Sequence, residues 1–335
     1  MNVLHIYASE AKFNAGDFFL GPSTKMKFEK MIEEKVSWTD FNVRNSVNDN
    51  VINYFNKFDA IVIGGGGLLL PDTNTNKISC WQFAIPESLI RKISSKIYVI
   101  SIGYNLFFGQ TSASNDRNTF SEDKSRVPIF KKNMETLIDH SEYFSMRHNG
   151  DIENLKSVLS SECHHKIKFE FCPVIDYVIE KHSDKGKEPV YHTFEIKDDR
   201  ESKRYMMTSK SKFYKTLKDY ILFLKEKGES VAVMSHDGSR NFLKYLNSCG
   251  VSVYFMDNAV ANESKIIKNF NMSKVMYCSA GHSQMMSYAL KIKTFSLASH
   301  DKLMFFQKDI CSDMVTGKYV HDLSIEDLKG FYTDL

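Results

Sequence analysis

The stretch Lys274 to Leu297, KVMYCSAGHSQMMSYALKIKTFSL, decides the fold. Its apolar run Val275 to Cys278 is typical of a buried strand, and Ser279 is a residue type that often caps the start of a helix. Apolar residues then recur at the spacing of one buried helix face, and Ile292 to Leu297 has the pattern of a second strand. This order of strand, turn, helix and strand predicts a unit of a parallel sheet, with His282 at the bend.

The same alternation extends along most of the chain. Strands are predicted at 3–7, 38–43, 58–63, 97–102, 143–146, 167–171, 190–194, 230–234, 251–255, 275–278 and 292–297. Helical patterns lie between them, among others at 23–34, 81–93, 127–139, 213–227 and 325–332. Strands that alternate with helices predict mostly parallel, doubly wound sheets. The segment at 104–125 is too long for a simple connector, and a connection of this length usually indicates a functional or a mobile loop.

The segment HSDKGKE, His182 to Glu188, is the best candidate for a linker because it is polar, contains glycine and separates two runs of the alternation. The sequence therefore predicts an N-terminal domain at 1–182 and a C-terminal domain at 189–320. The final segment, 321–335, contains a helix that is a candidate to pack back on the first domain. The length of 335 residues accommodates two separate cores.

The composition excludes several classes of protein. With 42% hydrophobic and 25% charged residues, the chain is neither disordered nor fibrous. A net charge of +3 is too balanced to indicate nucleic-acid binding, so anion recognition must be local, and a small anionic substrate fits better than a polymer. No segment approaches the ~20 apolar residues of a membrane-spanning helix. Six cysteines without a CxxC pair, and no signal sequence at the N-terminus, predict a cytoplasmic protein without disulfides.

Several polar or glycine-rich segments follow predicted strands. Ligands collect at the carboxyl ends of parallel strands, so these segments are candidate binding positions. Each also has a simpler explanation: a turn, a tight connection, a surface ion pair, a packed histidine or a surface lysine. The candidate residues are Asn14 and Asp17, the glycines Gly65, Gly66 and Gly67 of the run at 64–67, Arg147, His236, Ser279, Gly281, His282 and Lys302.

Two further segments contain charged or metal-ligating residue types but are weaker candidates for a functional site. The segment Lys197 to Lys212 is rich in charged residues and contains Arg200, Lys203 and Arg204. Such a segment is either a solvated surface or a substrate-binding segment. Cys163-His164-His165 has no further ligands at zinc-like spacing, so no metal site is expected.

The motifs, in their order, resemble the polysaccharide pyruvyl transferase family over nearly the whole chain. They are NAGD after the first strand, FDAIVIGGGG, SIG at 101–103, SMR at 145–147, CP at 172–173, SHD at 235–237, SAGH at 279–282 and the later Lys302. The resemblance implies two Rossmann-like doubly wound domains that face a central cleft, as in the glycosyltransferase-B class. In that arrangement the N-terminal domain is expected on the acceptor side and the C-terminal domain on the donor side.

The resemblance also implies a reaction. The expected donor is phosphoenolpyruvate, and the expected acceptor is a saccharide or lipid-linked saccharide of a bacterial cell-surface polysaccharide, which receives a pyruvate ketal. His282 would be the general acid/base, while Arg147 and Lys302 would hold the donor. No cofactor and no nucleic acid are expected. The protein would be cytoplasmic, with transient association at the inner face of the membrane.

The sequence departs from the family at one position. The family usually has an arginine two positions before the motif histidine, and here that position is Ala280. Arg147, Lys302 or the basic segment near Arg204 would then have to bind the anion. The departure leaves two alternatives open: a transferase of the glycosyltransferase-B type that uses a nucleotide sugar, and a member of the family that binds without catalysis.

Overall fold

A computed structural model describes residues 1–9, 15–69, 76–104, 125–182, 186, 189–205, 207–259 and 262–335. The chain forms two compact units. The first comprises Met1–Ala11 and Leu20–Pro173, and the second comprises Lys12–Phe19 and Val174–Leu335. The candidate residue Asn14 and nearly all of the long segment at 104–125 lie outside the described residues.

The first unit contains a parallel sheet, six-stranded in the part of the chain that is described, with the order β2-β1-β3-β4-β5-β6. Its strands are β1 (Asn2–Tyr7), β2 (Ser37–Asn42), β3 (Ala60–Leu69), β4 (Lys96–Tyr104), β5 (Ser141–Met146) and β6 (Ile167–Phe169). The helices up to this point are α1 (Ala15–Ile32), α2 (Asp49–Phe55), α3 (Glu87–Ile90), α4 (Arg126–His140) and α5 (Asn149–Lys156), with a short 3-10 helix at Ser161–Lys166.

Successive residues of the central strands pack on opposite faces of this sheet. Leu4 and Ile6 belong to one hydrophobic cluster, whereas Val3 belongs to another that also contains Phe28 of α1. A strand with apolar residues on both faces must be covered on both sides. The apolar runs that predicted the strands therefore also account for the helix layers.

The second unit contains another parallel sheet, with the order β12-β11-β10-β7-β8-β9 among its described residues. Its strands are β7 (Tyr191–Glu195), β8 (Ser230–Ser235), β9 (Tyr254–Asp257), β10 (Ser273–Cys278), β11 (Lys293–Ala298) and β12 (Val315–Tyr319). The remaining helices are α6 (Pro173–His182), α7 (Glu201–Arg204), α8 (Lys210–Glu226), α9 (Asn241–Ser248), α10 (Glu263–Asn271), α11 (Gly281–Ala289), α12 (Asp301–Ile310) and α13 (Ile325–Thr333).

The two strand orders belong to the two common doubly wound arrangements. Counted within its own unit, the first sheet has the order 2-1-3-4-5-6 and the second has the order 3-2-1-4-5-6. In each, the chain direction across the sheet reverses beside the first strand, between β1 and β3 in one unit and between β7 and β10 in the other. The predicted fold class, two Rossmann-like domains of the glycosyltransferase-B type, is confirmed.

The last helix packs inside the second unit. Leu328 and Phe331 of α13 are buried in the second hydrophobic core, where Phe331 lies against Tyr277 and Phe295. In the sequence, the segment at 321–335 was a candidate to pack back on the first domain. The apolar face of α13 instead covers the sheet next to which its chain emerges.

Some predicted elements differ in extent or type. Residues 81–93 were predicted as one helix but contain only the short helix α3. Trp81 and Phe83, which suggested a helix, are buried in an irregular segment before it. The edge strand β12 and helix α6 were not predicted, and α1 begins eight residues before its predicted start at Ser23. The short, partly polar pattern of β12 explains why it was missed.

The glycine run lies within a strand and not in a turn. β3 continues through the four glycines to Leu69, and Gly64 and Gly65 have φ of 149° and 71°, a region that favours glycine. A Cβ on Gly64 would overlap the carbonyl oxygen of Ile100, and one on Gly65 would lie 2.7 Å from Oγ1 of Thr24 in α1. These glycines therefore let β4 and α1 approach the strand closely, which explains their presence without a ligand.

Candidate functional site

The candidate site of the second unit lies at the carboxyl ends of its central strands. β7 and β10 are hydrogen-bonded neighbours, and the chain crosses the sheet in opposite directions from them. In open sheets of this kind ligands bind outside the strand ends at such a reversal. The residues that follow these two strands, and those that follow β8 and β11, are therefore the ones to consider.

Glu195, the last residue of β7, lies in the middle of this region. Its side chain is buried, and Oε2 accepts hydrogen bonds from the backbone N–H groups of Ser279 at 3.2 Å and Ala280 at 3.0 Å. The pKa of Glu195 is raised from 4.5 to about 7, mainly by burial; the charge of Lys197 opposes this rise and that of Asp237 adds to it. This residue was not predicted, because an isolated glutamate at a strand end belongs to no motif.

His282 lies in the first turn of α11, as the sequence predicts. Its Nδ1 is 3.9 Å from Oδ1 of Asp17, another predicted site residue, and the imidazole packs against Gly16. Gly16 and Asp17 belong to the first turn of α1, whose residues up to Phe19 are part of the second unit. The fold thus brings Gly16 and Asp17 of the NAGD motif next to His282 of the SAGH motif.

Lys302 approaches the same turn from the neighbouring helix. It lies in the first turn of α12, and a Cβ on Gly281 would be 3.2 Å from Cε of Lys302. The space beside Gly281 is therefore occupied by the lysine side chain. Gln284 fixes the two helices, because its Nε2 donates to Oγ of Ser296 at 2.7 Å and to the carbonyl of Leu303 at 3.0 Å.

Ser279 makes its hydrogen bonds inside the protein. Its N–H donates to the carbonyl and the carboxylate of Glu195, and its hydroxyl accepts from the N–H of Lys197 at 2.7 Å. The position that caps α11 is Ala280, which has no side-chain hydrogen bond. Ser279 was predicted as a cap and a ligand-binding residue, but these contacts make it part of the framework of the turn.

His236 follows β8 and is buried beside the same turn. Its Nδ1 lies 3.4 Å from Oγ of Ser283, and among the described residues Nε2 has no hydrogen-bond partner. Burial, together with the charge of Lys197, lowers the pKa of His236 from 6.5 to about 3, so the ring is neutral at pH 7. The ammonium of Lys197 is 3.3 Å from Asp237. A neutral imidazole here can donate or accept a hydrogen bond, but it does not contribute charge.

Part of the basic segment after β7 is folded against the strand ends. Arg204 is buried, donates to the Asp199 carboxylate at 2.7 Å and donates to Oγ of Ser299, after β11, at 2.8 Å. Burial opposes ionisation of Asp199, but the charges of Arg204, Lys197 and Arg200 outweigh it and hold the pKa of Asp199 below its ordinary value. Arg204 is thus part of an internal ion pair, neither a solvated surface residue nor an isolated cation.

Arg147 and the glycine run belong to the first unit. The Arg147 guanidinium is buried, lies against Gly103 at the end of β4 and is 3.8 Å from Asp151 of α5. We expected a strand-end arginine to grip a donor or to form a surface ion pair. The pairing with a fully buried carboxylate instead indicates that this charge is largely balanced within the first unit.

The fold therefore brings together Asp17, His236, Ser279, Gly281, His282 and Lys302 in the second unit and adds Glu195 and Lys197. Gly65, Gly66, Gly67 and Arg147 lie in the first unit. The described residues contain no group of three His, Cys, Asp or Glu side chains arranged to hold a metal ion. Within that same part of the chain, no helix combines the length and apolar character needed to cross a membrane.

Comparison with known proteins finds similarity in fold. No family model and no curated protein sequence matches the chain. Among solved structures, a UDP-GlcNAc 2-epimerase from Methanocaldococcus jannaschii, in complex with UDP-GlcNAc and UDP, is 11% identical with a TM-score of 0.55, covering 100% of this chain and 92% of the other. A protein from Listeria monocytogenes, described as a UDP-N-acetylglucosamine 2-epimerase, is 11% identical with a TM-score of 0.59, covering 99% and 88%. At these identities the likeness shows that the chain has the same two-domain Rossmann-like fold.

Proposed function

We propose that this protein is a sugar-modifying transferase whose second unit binds the phosphate of an activated donor beside His282. The observation that carries the proposal is the convergence of Asp17, His282 and Lys302 around the first turn of α11. A histidine for proton transfer and a cation for phosphate are what a transfer from a phosphorylated donor to a hydroxyl requires. The first turns of α11 and α12 add the partial positive charge of two helix N-termini.

Each side chain has a role that follows from its position. His282 accepts the proton of the attacking acceptor hydroxyl, or delivers a proton to the donor, and Asp17 orients its ring. Lys302 binds the phosphate and stabilises the charge that remains on it when the bond to the transferred group breaks. His236, neutral at pH 7, is a hydrogen-bonding partner for an uncharged polar group of the substrate.

A nucleotide sugar is the donor that the fold favours. The similar structures with TM-scores above 0.5 include proteins described with UDP-GlcNAc and UDP bound. In this reaction the acceptor oxygen forms a bond to the anomeric carbon, the bond from that carbon to the diphosphate breaks, and the hydroxyl proton moves to His282. The nucleoside diphosphate leaves with its charge beside Lys302.

Phosphoenolpyruvate is the second candidate, and the order of motifs along the chain favours it. Ketal formation would add a proton to the methylene carbon and join an acceptor hydroxyl oxygen to the adjacent carbon. Phosphate leaves, and a second hydroxyl closes the ring. His282 and Lys302 would have the same roles as with a nucleotide sugar. The acceptor under this reading is a saccharide of a cell-surface polysaccharide or its lipid-linked precursor.

The test is a donor screen that combines thermal unfolding with turnover. UDP- and CDP-sugars and phosphoenolpyruvate are each added to the wild-type protein and to His282→Gln. We expect one donor class to raise the unfolding temperature of both proteins. We also expect turnover by His282→Gln to fall about a hundredfold or more, as for loss of a general acid/base.

His165→Gln in the first unit is the matched control and should leave turnover unchanged. Protection by a donor without turnover by the wild type would identify a non-catalytic binding protein. Failure of every donor to protect would refute the proposed donor site, and near-normal transfer by His282→Gln would refute the role of the histidine.

A further inference from the structure

Glu195 has a position in the site that the proposed chemistry does not use. It is the last residue of β7, 1% exposed, and its carboxylate points across to the turn that leads from β10 into α11. That turn carries Ser279 and Ala280, and His282 follows two residues later. A buried carboxylate in this place needs a physical reason, because burial of a charge is costly unless hydrogen bonds offset it.

The hydrogen bonds indicate that reason. The N–H of Ala280 donates to Oε2 of Glu195 at 3.0 Å, and the N–H of Ser279 donates to Oε2 at 3.2 Å and to the Glu195 carbonyl at 3.0 Å. Helices usually begin at a residue whose side chain caps the free N–H groups. Here Ala280 holds that position and provides no side-chain cap, so the connection between strand and helix is held from the neighbouring strand.

We propose that Glu195 is the positioning residue of the site: it fixes the main chain at Ser279 and Ala280 and thereby sets the first turn of α11 and the place of His282. The link to catalysis rests on the proposed function. The hydrogen bonds to the turn do not depend on it. In this role Glu195 contacts neither the substrate nor the reacting atoms.

The groups around Glu195 come from several elements. Lys197 follows β7, Asp237 follows β8, Arg204 lies in α7, and Cys278 ends β10, and each interacts electrostatically with the carboxylate. Burial and these charges together place the pKa of Glu195 at about 7. Both protonation states are therefore populated near neutral pH, and the ionised state is the one that accepts both N–H groups best.

The first test needs no ligand. Hydrogen exchange of the Ala280 amide is measured in wild type, Glu195→Ala and Glu195→Gln at the same pH. We expect exchange to become about tenfold or more faster in Glu195→Ala, because a hydrogen bond to a charged acceptor is lost, and to change much less in Glu195→Gln, whose amide oxygen still accepts. An unchanged rate in Glu195→Ala would overturn the proposal.

The second test uses turnover of whichever donor is active. We expect kcat of Glu195→Ala to fall about tenfold or more with a smaller change in KM, since misplacement of His282 affects the reacting geometry more than donor binding. Glu195→Gln should recover most of kcat but lose the dependence of kcat on pH between about 6 and 8. Equal impairment of both variants would mean that the charge itself is required, and the positioning role would be wrong.

Glu229→Gln is the matched control. Glu229 precedes β8 at the opposite end of the same sheet, where it pairs with Lys274. This variant should leave both the Ala280 exchange rate and kcat unchanged. If no donor is turned over by the wild type, the proposed function fails, while the exchange measurement still decides whether Glu195 fixes the turn.

Discussion

Lys302 has its place in the site because of the residue that it packs against. Its methylene groups lie next to Gly281, where a larger residue would push them away. This contact orients the ammonium group toward the start of α11, where the helix N-terminus also favours an anion. A lysine that follows a strand is by itself an ordinary surface residue, and the neighbouring glycine gives it a defined position.

Lys302→Met should weaken donor binding. Methionine retains much of the packing against Gly281 but removes the charge, so we expect the dissociation constant of the phosphorylated donor to rise about ten- to a hundredfold, as for loss of a hydrogen bond to a charged group. Isothermal titration with the active donor measures it. Lys308→Met, near the exposed end of the same helix, is the control and should bind normally. Equal affinity in both variants would exclude Lys302 from the donor site.

At the scale of elements, the site depends on a close contact between the first turns of α1 and α11. Gly16 and Asp17 of α1 lie against the His282 ring, and a Cβ on Gly16 would be 2.6 Å from Cβ of His282. Two segments more than 260 positions apart in the chain are thus in direct contact. The asparagine, glycine and aspartate of NAGD are also common in turns, so this contact is not visible in the sequence.

The substitution Gly16→Ala has two opposite effects: alanine favours the helix, but its methyl group fills the space next to His282. Alanine stabilises most helical positions by up to about 1 kcal/mol relative to glycine, but here its methyl group would displace the imidazole. We expect turnover to fall about a hundredfold, as for a catalytic group displaced by about 1 Å, while the protein remains folded; initial rates and circular dichroism measure the two.

Gly330→Ala in α13 provides the comparison for this substitution. A Cβ there meets nothing within 4 Å, so this variant should be slightly more stable and fully active. If Gly16→Ala were also fully active, the contact between α1 and His282 would have no part in the site.

At the scale of the whole molecule, buried ionisable groups make stability depend on pH in opposite directions. Burial lowers the pKa of His5, in the first unit, from 6.5 to about 4. Below pH 6.5 the unfolded chain binds a proton that the folded chain does not, so His5 reduces stability as pH falls from 6.5 to 4. Glu195 acts oppositely, because the unfolded glutamate ionises above pH 4.5 while the folded one stays protonated until about 7.

Denaturant unfolding between pH 4 and 7.5 tests both signs. His5→Gln should remove a loss of stability on the order of 3 kcal/mol between pH 6.5 and 4. Glu195→Gln should remove a loss that occurs as pH rises from 4.5 to 7. The slope with pH is the readout, so a general destabilisation by either substitution does not obscure it. Parallel curves for wild type and His5→Gln would show that this histidine is not buried in its neutral form.

Local pattern predicted much of the fold. Alternating apolar runs predicted ten of the twelve described strands within a few residues, apart from the edge strand β12 and the displaced start of β9. A continuous apolar run, which buries both faces of a strand, is a property of the local sequence. So is the apolar stripe along helix α8 or α13. The extent of α3, the early start of α1 and the continuation of β3 through its glycines depend on neighbours that are distant in sequence.

The candidate site was predicted in part for the same reason. His282, Gly281 and Lys302 could be found because they follow strands, and all strands of a parallel sheet end at one edge. Glu195 could not be found, since it belongs to no motif, and Lys197 was included only as the first residue of the charge-dense segment. Arg147 and Arg204 pair with carboxylates that are near in sequence, but their burial depends on Gly103 and Ser299, which only folding brings near. Ser279 appeared to be a cap, but its hydroxyl accepts from the N–H of Lys197, and the cap position is Ala280.

The sequence by itself determined two doubly wound units and the strand edge at which the candidate site lies, because strand pattern and chain direction are local properties. The tertiary structure alone decided which side chains at that edge are used internally and which meet at α11. Contacts between segments far apart in the chain assign three of these residues to the interior. Ser279 contacts Glu195, Arg147 lies against Gly103, and Arg204 donates to Ser299. The same packing places Asp17, His282 and Lys302 side by side, with Glu195 beneath the turn that carries the histidine.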